Sequence, residues 1–334
     1  MTAAAMFSRR IVLRAAAGLP FAAGGGFKAR AQDRPLRAAD NQSIDFPTVQ
    51  ALLFMDRAIR ARTGNELRMR VFASGQLGEE RETIEQTRRG VIDIARVNVS
   101  LLAGIVPEMR ALLMPYLFRS TEHLRATMDG KIGEDLLEAA RPHGFVGLAF
   151  YDSGFRSIYN RTRAVRSPVD LAGLRIRVQQ IDLASAVLGA MGATPIQLPY
   201  SQILPALDAG LIDGAENNFP SYMTTDHATV ARHYSPTEHM APPEIVIVSA
   251  QSWARLNGPQ RDAVASAALD SRFFMRRLWD RWTNLTLSQA AAAGVRIEET
   301  VDRAAFARAT ESIYRDLAAG SPAAEFVARI GALP

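Results

Sequence analysis

Cysteine does not occur in this chain of 334 residues. Disulfides, thiolate metal sites, cysteine nucleophiles and acyl-lipid attachment through a thiol are excluded together. The fold must be held by its core, which a chain of roughly 300 residues can bury. Lysine is nearly as scarce. Only Lys28 and Lys131 occur, so almost all of the 39 basic side chains are arginines, and an isolated arginine is no signal on its own. The five histidines, His123, His143, His227, His233 and His239, show no ligand spacing. His227 and His233 are six residues apart and fall on different helix faces, whereas a pair on one face needs a spacing of three or four. No metal site is expected; His123 and His143 read as helix-surface residues and His239 as a hinge or packing residue. No HExxH, GxSxG, GxGxxG or Walker loop is present, and Gly189-Ala190-Met191-Gly192 reads as a helix cap. No catalytic residue and no cofactor is predicted, and the chain is not expected to be an enzyme.

Long apolar runs are confined to the start. Ser8-Arg9-Arg10-Ile11-Val12-Leu13 leads into an Ala-rich stretch ending near Ala23, and Ala29-Arg30-Ala31 follows as a small-x-small cleavage site. This order predicts a signal peptide over residues 1–31, of the twin-arginine kind, a mature start at Gln32 and a periplasmic location. A membrane anchor needs about 20 mostly apolar residues, and Arg14, Pro20 and Gly24-Gly25-Gly26 interrupt this stretch. Residues 1–31 carry five cations and no acid, so their removal lowers the formal charge from +5 to zero. A nucleic-acid binder needs a basic face; none is expected here, and the mature chain is expected to be soluble.

Short apolar runs then alternate with helical patterns, which argues for an α/β class. Strands are predicted at 36–39, 67–72 and 91–97, with helices at 46–63 and 79–89. A second set follows, with strands near 145–150, 157–160, 174–178, 194–198 and 211–216, helices at 182–191 and 201–209, and a dense β-branched strand at 245–249. From Pro259 the helical pattern runs to Gly294, a rod of roughly 50 Å at 1.5 Å per residue. Such a rod is longer than one lobe is wide. Its apolar residues Phe273, Phe274, Leu278, Trp279, Trp282, Leu285 and Leu287 read as packing surface. A final helix is predicted at 302–319, with the tail 321–334 docked on the surface. Lobe I is placed at 32–153 with 243–283 returning to it, and lobe II at 154–242 with 284–334 returning to it.

Two passages end strands in polar residues. In Leu174-Arg175-Ile176-Arg177-Val178, alternation puts the aliphatics on one face and Arg175 and Arg177 on the other. Arg177 lies near the carboxyl end of its strand, where open α/β sheets bind ligands. In Leu211-Ile212-Asp213-Gly214-Ala215-Glu216-Asn217-Asn218 a strand again runs into polar groups. Met191, Phe219 and Tyr222 read equally well as pocket lining or core.

The blocks FASGQLGEERETIEQTRRGVIDIA (72–95), LLMPYLFRSTEHL (112–124), SPVDLAGLRIRV (167–178) and MGATPIQLPYSQILPALDAGLIDGAENN (191–218) resemble, in order, the solute-binding subunits of tripartite ATP-independent periplasmic (TRAP) transporters, the DctP-like family. The resemblance covers residue 36 to the last helix. It implies a two-lobed, flytrap-type periplasmic-binding-protein fold with a long helix across both lobes. By the same resemblance, Arg177 holds the ligand carboxylate through two hydrogen bonds, Asn217 donates to that carboxylate, and Arg156 is a second cation. Glu80 and Asn98 occupy first-lobe positions that contact ligands in some relatives, although some of those carry an acid where Asn98 stands. Expected partners are a small organic anion and the small and large integral-membrane subunits of the transporter, with the chain itself a monomer. RVQQIDL, GAENNFPSY and EHMAPPEIVIVS are similar to members that take hexuronates, so a sugar acid is the first expectation. A four-carbon dicarboxylate or an oxo acid is the alternative within the family; a periplasmic hydrolase or a sensor accessory is the alternative outside it.

Overall fold

The computed structural model describes residues 34–318 and 321–334; the segment read as a signal peptide lies outside them. The strands in chain order are β1 (Leu36–Ala39), β2 (Met69–Phe72), β3 (Ile94–Asn98), β4 (Phe145–Tyr151), β5 (Arg156–Asn160) and β6 (Arg175–Val178). They continue as β7 (Thr194–Gln197), β8 (Gly214–Asn217), β9 (His233–Met240), β10 (Glu244–Ser249) and β11 (Arg296–Ile297). Two sheets result, one in the order β2-β1-β3-β10-β4 and the other in the order β11-β9-β5-β8-β6-β7. The β-branched run Ile245-Val246-Ile247-Val248 of β10 sits centrally in the first sheet, antiparallel to β3 and β4. Burial on both faces is what such a run favours.

The chain passes between the sheets at residues 152–155 and again at 241–243. The third connection is the helix Gly258–Gln289, opened by an Asn257/Gln260 capping box with a proline in its first turn. Its 32 residues make a rod of about 48 Å. It packs on the helix Pro47–Arg62 and on β4 in the first lobe, and on the helix Phe219–Thr224 in the second. Trp279 meets Phe46 edge-on with centroids 6.1 Å apart, and Phe274 stacks on Phe54 at 4.7 Å. One apolar cluster lies between the long helix and the first sheet, around Leu52, Met55, Val248 and Met275. A second lies under the other sheet, around Tyr159, Leu207, Ile212 and Tyr222. The largest runs between the lobes, from Leu112 and Phe145 to Ile176 and Phe306.

Several sequence expectations are corrected. The long helix stops at Gln289 rather than near Gly294, and Phe273, Leu285 and Leu287 on it are exposed rather than packed. Residues 211–213 do not extend a strand, because the backbone N–H groups of Leu211 and Ile212 close the preceding helix on Ala206 O. The stretch 302–319 is two helices, Arg303–Ala309 and Glu311–Ala318, broken at Thr310, whose hydroxyl bonds back to Ala307 O at 2.9 Å. The tail forms a further helix, Ala324–Gly331, and docks on the first lobe, against residues 107–113 and 131–139, rather than returning to the second. Phe326 and Ile330 supply the apolar surface that carries it there. His123 is buried beneath that helix, not on a surface. Its Nδ1 accepts from Arg119 N at 3.2 Å, so its Nε2 carries the proton toward Ile330 O at 3.0 Å. Met191, Phe219 and Tyr222 belong to the apolar clusters.

Candidate functional site

The strand β6 alternates as its sequence requires: Ile176 and Val178 face the core, and Arg177 faces the crevice between the lobes. Arg175, on the same side but at the strand's start, is held by Asp213 at 2.8 Å. Arg177 has only 3% of its surface exposed. Its Nε and Nη2 both donate to Leu198 O, at 2.9 and 2.7 Å. Nη1 is buried without a hydrogen-bond partner, and among the described residues no carboxylate lies within ion-pair distance. Burial lowers the pKa of this guanidinium against the pull of Glu216, and neighbouring Arg156 acts in the same direction as burial. A buried cation left in this way is costly, so the site is organised for an anion.

Arg156, at the start of β5, is differently placed. It forks onto Glu216, with Nε meeting Oε2 and Nη2 lying 2.9 Å from Oε1. Nη1 donates to Asn217 Oδ1 at 3.0 Å. Burial pushes Glu216 up, but the Arg156 guanidinium and His239 outweigh it and hold the carboxyl down at about 2. His239 is fully buried, with Nδ1 on Thr237 Oγ1 at 2.9 Å and Nε2 3.7 Å from Glu216. Arg156, the second cation that the resemblance implied, lines the crevice and is paired there with Glu216. It also orients Asn217: Oδ1 accepts from Arg156 and from Asn218 N, the latter at 2.9 Å, and the Nδ2 group makes no hydrogen bond among the described residues.

The opposite wall, from the first lobe, is acidic. Arg96, buried in β3, contacts Asp40, lies 2.7 Å from Glu244 and from Asn41 Oδ1, and is 3.6 Å from Glu80. Glu244 Oε1 accepts from Asn98 Nδ2 and Ser153 Oγ, each at 2.9 Å. Glu80 Oε1 accepts from Asn98 N at 2.6 Å. Burial pushes Glu80 up to about 7, against the attraction of Arg96 and with the repulsion of Glu244. Asn98 lines the crevice, but its side chain is taken up by Ser100 N, Glu244 and Pro242 O. It supports the wall instead of offering free groups.

All five residues singled out from the sequence, Glu80, Asn98, Arg156, Arg177 and Asn217, line one crevice. It holds about 540 Å³ of space not filled by atoms, its mouth included. Sequence reasoning passed over Arg96, Glu244, Gln42, Gln179 and Tyr200, which line the same space. Arg96 carried a readable signal, because an arginine in the apolar run Ile94-Ala95-Arg96-Val97 must find buried partners. Gln179 Oε1 is a second buried atom without a partner. Gln42 Nε2 reaches Tyr200 OH across the crevice at 3.4 Å. Among the described residues no group of three His, Asp or Glu is arranged to hold a metal, and no helix is long and apolar enough to cross a membrane.

Two α/β lobes, the segments that join them and a guanidinium without a carboxylate partner in the crevice between them define a clamp-type binding protein for a small anion. The chain belongs to bacterial extracellular solute-binding protein family 7, the DctP family of TRAP solute-binding subunits, whose pattern matches residues 38–321. Members of this family bind small organic acids outside the cytoplasm and work with membrane subunits. A solute-binding protein of Chromohalobacter salexigens is 35% identical over 269 residues, 80% of each chain. A TRAP periplasmic solute-binding protein from Bradyrhizobium, solved with galacturonate, is 41% identical and superposes with a TM-score of 0.88 over 90% of this chain and 100% of the other. One from Pseudomonas putida F1, solved with D-glucuronate, is 34% identical, with a TM-score of 0.87 over 90% of this chain and 97% of the other.

Proposed function

We propose that this chain captures a hydroxylated monocarboxylic acid, a hexuronate foremost, and passes it to the small and large membrane subunits of a TRAP transporter. The observation that carries the reading is Arg177. Leu198 O occupies the Nε/Nη2 edge of the guanidinium, so the Nη1/Nη2 edge remains for a carboxylate, the geometry of a bidentate pair. Asn217 Nδ2 is a further donor beside it, and the buried Gln179 Oε1 is an acceptor for a hydroxyl. An unpaired donor edge and an unpaired acceptor in one crevice fit a ligand with an acid at one end and hydroxyls beyond it. Relatives of similar sequence hold galacturonate and glucuronate.

The chain acts as a binding protein, as its solute-binding family does, and ligand incubated with it should be recovered unchanged. It is exported by cleavage after Ala31 and works in the periplasm as a monomer. Amino-terminal sequencing of the periplasmic protein and light scattering check these two statements.

Titration calorimetry with galacturonate and glucuronate tests the central reading. Micromolar affinity corresponds to about −8 kcal/mol. Charged hydrogen bonds contribute about 1.5–3 kcal/mol each, so Arg177→Ala weakens binding at least about a hundredfold. A wild-type protein indifferent to both acids, or an Arg177→Ala variant of undiminished affinity, overturns the assignment.

A further inference from the structure

Among the buried carboxylates of the first-lobe wall, Glu80 stands apart; Glu79, at the rim, is only half-buried and caps its own helix. Glu244 is saturated by Arg96, Asn98 and Ser153, and Asp40 by Arg96, Thr48 and Gln42 N. Glu80 Oε1 is held by Asn98 N, whereas Glu80 Oε2 makes no hydrogen bond to protein among the described residues while the side chain lines the crevice. Three carboxylates surround the single guanidinium of Arg96, so this wall carries excess negative charge. The far wall sets Arg156 and Arg177 against Glu216 alone. A ligand lying across the crevice therefore meets positive charge at one end and an acceptor within a negative field at the other.

We infer that Glu80 is the specificity-determining residue of the site, accepting a ligand hydroxyl through Oε2 and excluding acids that carry a second carboxylate at that end. The inference rests on the hexuronate reading and adds a selection rule to it: monoanions are admitted and dianions of the same length refused. Like charges brought together in a desolvated site cost several kcal/mol, enough for a preference of about a hundredfold. Arg81, the other cation near this wall, is exposed at the mouth of the crevice, where water and salt screen it.

The pH dependence gives a readout that a merely structural role would not move. The charged groups facing Glu80 are Arg96 from β3, Glu244 from β10, Asp40 after β1, Glu79 and Arg81 on its own helix, and Arg156 and Arg177 across the crevice. With its carboxyl pushed up to about 7, Glu80 is ionised at pH 8 and protonated at pH 5.5. The ionised form favours a hydroxyl donor, and the protonated form donates to a second carboxylate. Affinity for the hexuronate therefore falls, and affinity for the matching six-carbon dicarboxylate rises, between pH 8 and pH 5.5. Both ligands stay ionised at the Arg177 end across that range.

The test is calorimetry of the full mature protein with galacturonate and with galactarate, its six-carbon dicarboxylate counterpart, at pH 8 and pH 5.5, for wild type, Glu80→Gln and Glu80→Asp. Wild type prefers galacturonate by about a hundredfold at pH 8. The opposed pH trends appear, Glu80→Gln abolishes both trends and brings the preference below about tenfold, and Glu80→Asp restores the trends. Equal affinity of wild type for the two acids at pH 8, or parallel pH trends, overturns the inference while leaving the hexuronate reading intact. Absence of any binding of galacturonate overturns that reading instead. The wild-type pH series stands without the variants, so a misfolded substitution does not shield the inference.

Discussion

Arg156 and Arg177 lie on one wall of one crevice, yet removing them should have different consequences for stability. Arg156→Ala strands the ionised Glu216 in a fully buried position, and breaking such a pair costs about 3–5 kcal/mol. Arg177→Ala removes a cation with no counterion of its own, and relief of that charge offsets the cavity left behind. Calorimetric melting of the ligand-free proteins should show a large fall for the first variant and a shift within about 3 °C for the second. A hexuronate should raise the melting temperature of the wild type by mass action and leave Arg177→Ala unmoved. The paired carboxylate also sets an acid limb. Glu216 is held at about 2, below its ordinary 4.5, so its contribution is complete above pH 4.5 and is lost as pH falls toward 2. Glu216→Gln should flatten that limb in acid titrations followed by circular dichroism.

At the scale of elements, the tail shows how little of a docking site is local. The helix Ala324–Gly331 is amphipathic by its own spacing, but its seat is made by residues 107–113, 131–139 and the buried His123, some 200 positions earlier. Ile330 is fully buried there, and Ile330→Ala should cost about 2–5 kcal/mol in denaturant unfolding. The long helix was legible because its signals are internal: a proline in its first turn and no breaker for some thirty residues. The strands β3, β6 and β10 were legible for the same reason, as alternating or β-branched runs. Residues 211–213 misled because two leucine-like positions beside Asp213 imitate a strand, while their amides close a helix end.

At the scale of the molecule, the crevice exists because the chain leaves the first sheet after β4 and returns at β10. The two short connections and the long helix join the lobes. Gly154 marks how tightly they are joined: its backbone has φ +66°, and a Cβ there would lie 3.1 Å from Trp279. On the proposed reading, a ligand that bridges Arg177 on one wall and Glu80 on the other would have more contacts with the walls closed, and that difference in affinity would drive closure. Small-angle scattering should show the radius of gyration falling when galacturonate is added to wild type and staying constant for Arg177→Ala. Gln42 and Tyr200 meet across the crevice, so Gln42→Ala should speed ligand release more than it slows capture.

The amino-acid sequence settles what is encoded within short stretches: the α/β class, the long helix, the alternation that turns Arg177 away from the core, and the block order that marks the family. It does not say which arginine remains unpaired. Arg156 meets Glu216 across 60 positions and Arg96 meets Glu244 across 148, and in a chain with so many arginines no local pattern assigns these partners. Packing two sheets together makes those assignments, because buried charges must be neutralised wherever the fold places them. What the tertiary structure leaves without a hydrogen-bond partner among the described residues, Arg177 Nη1 and Glu80 Oε2, is what the proposed ligand would engage.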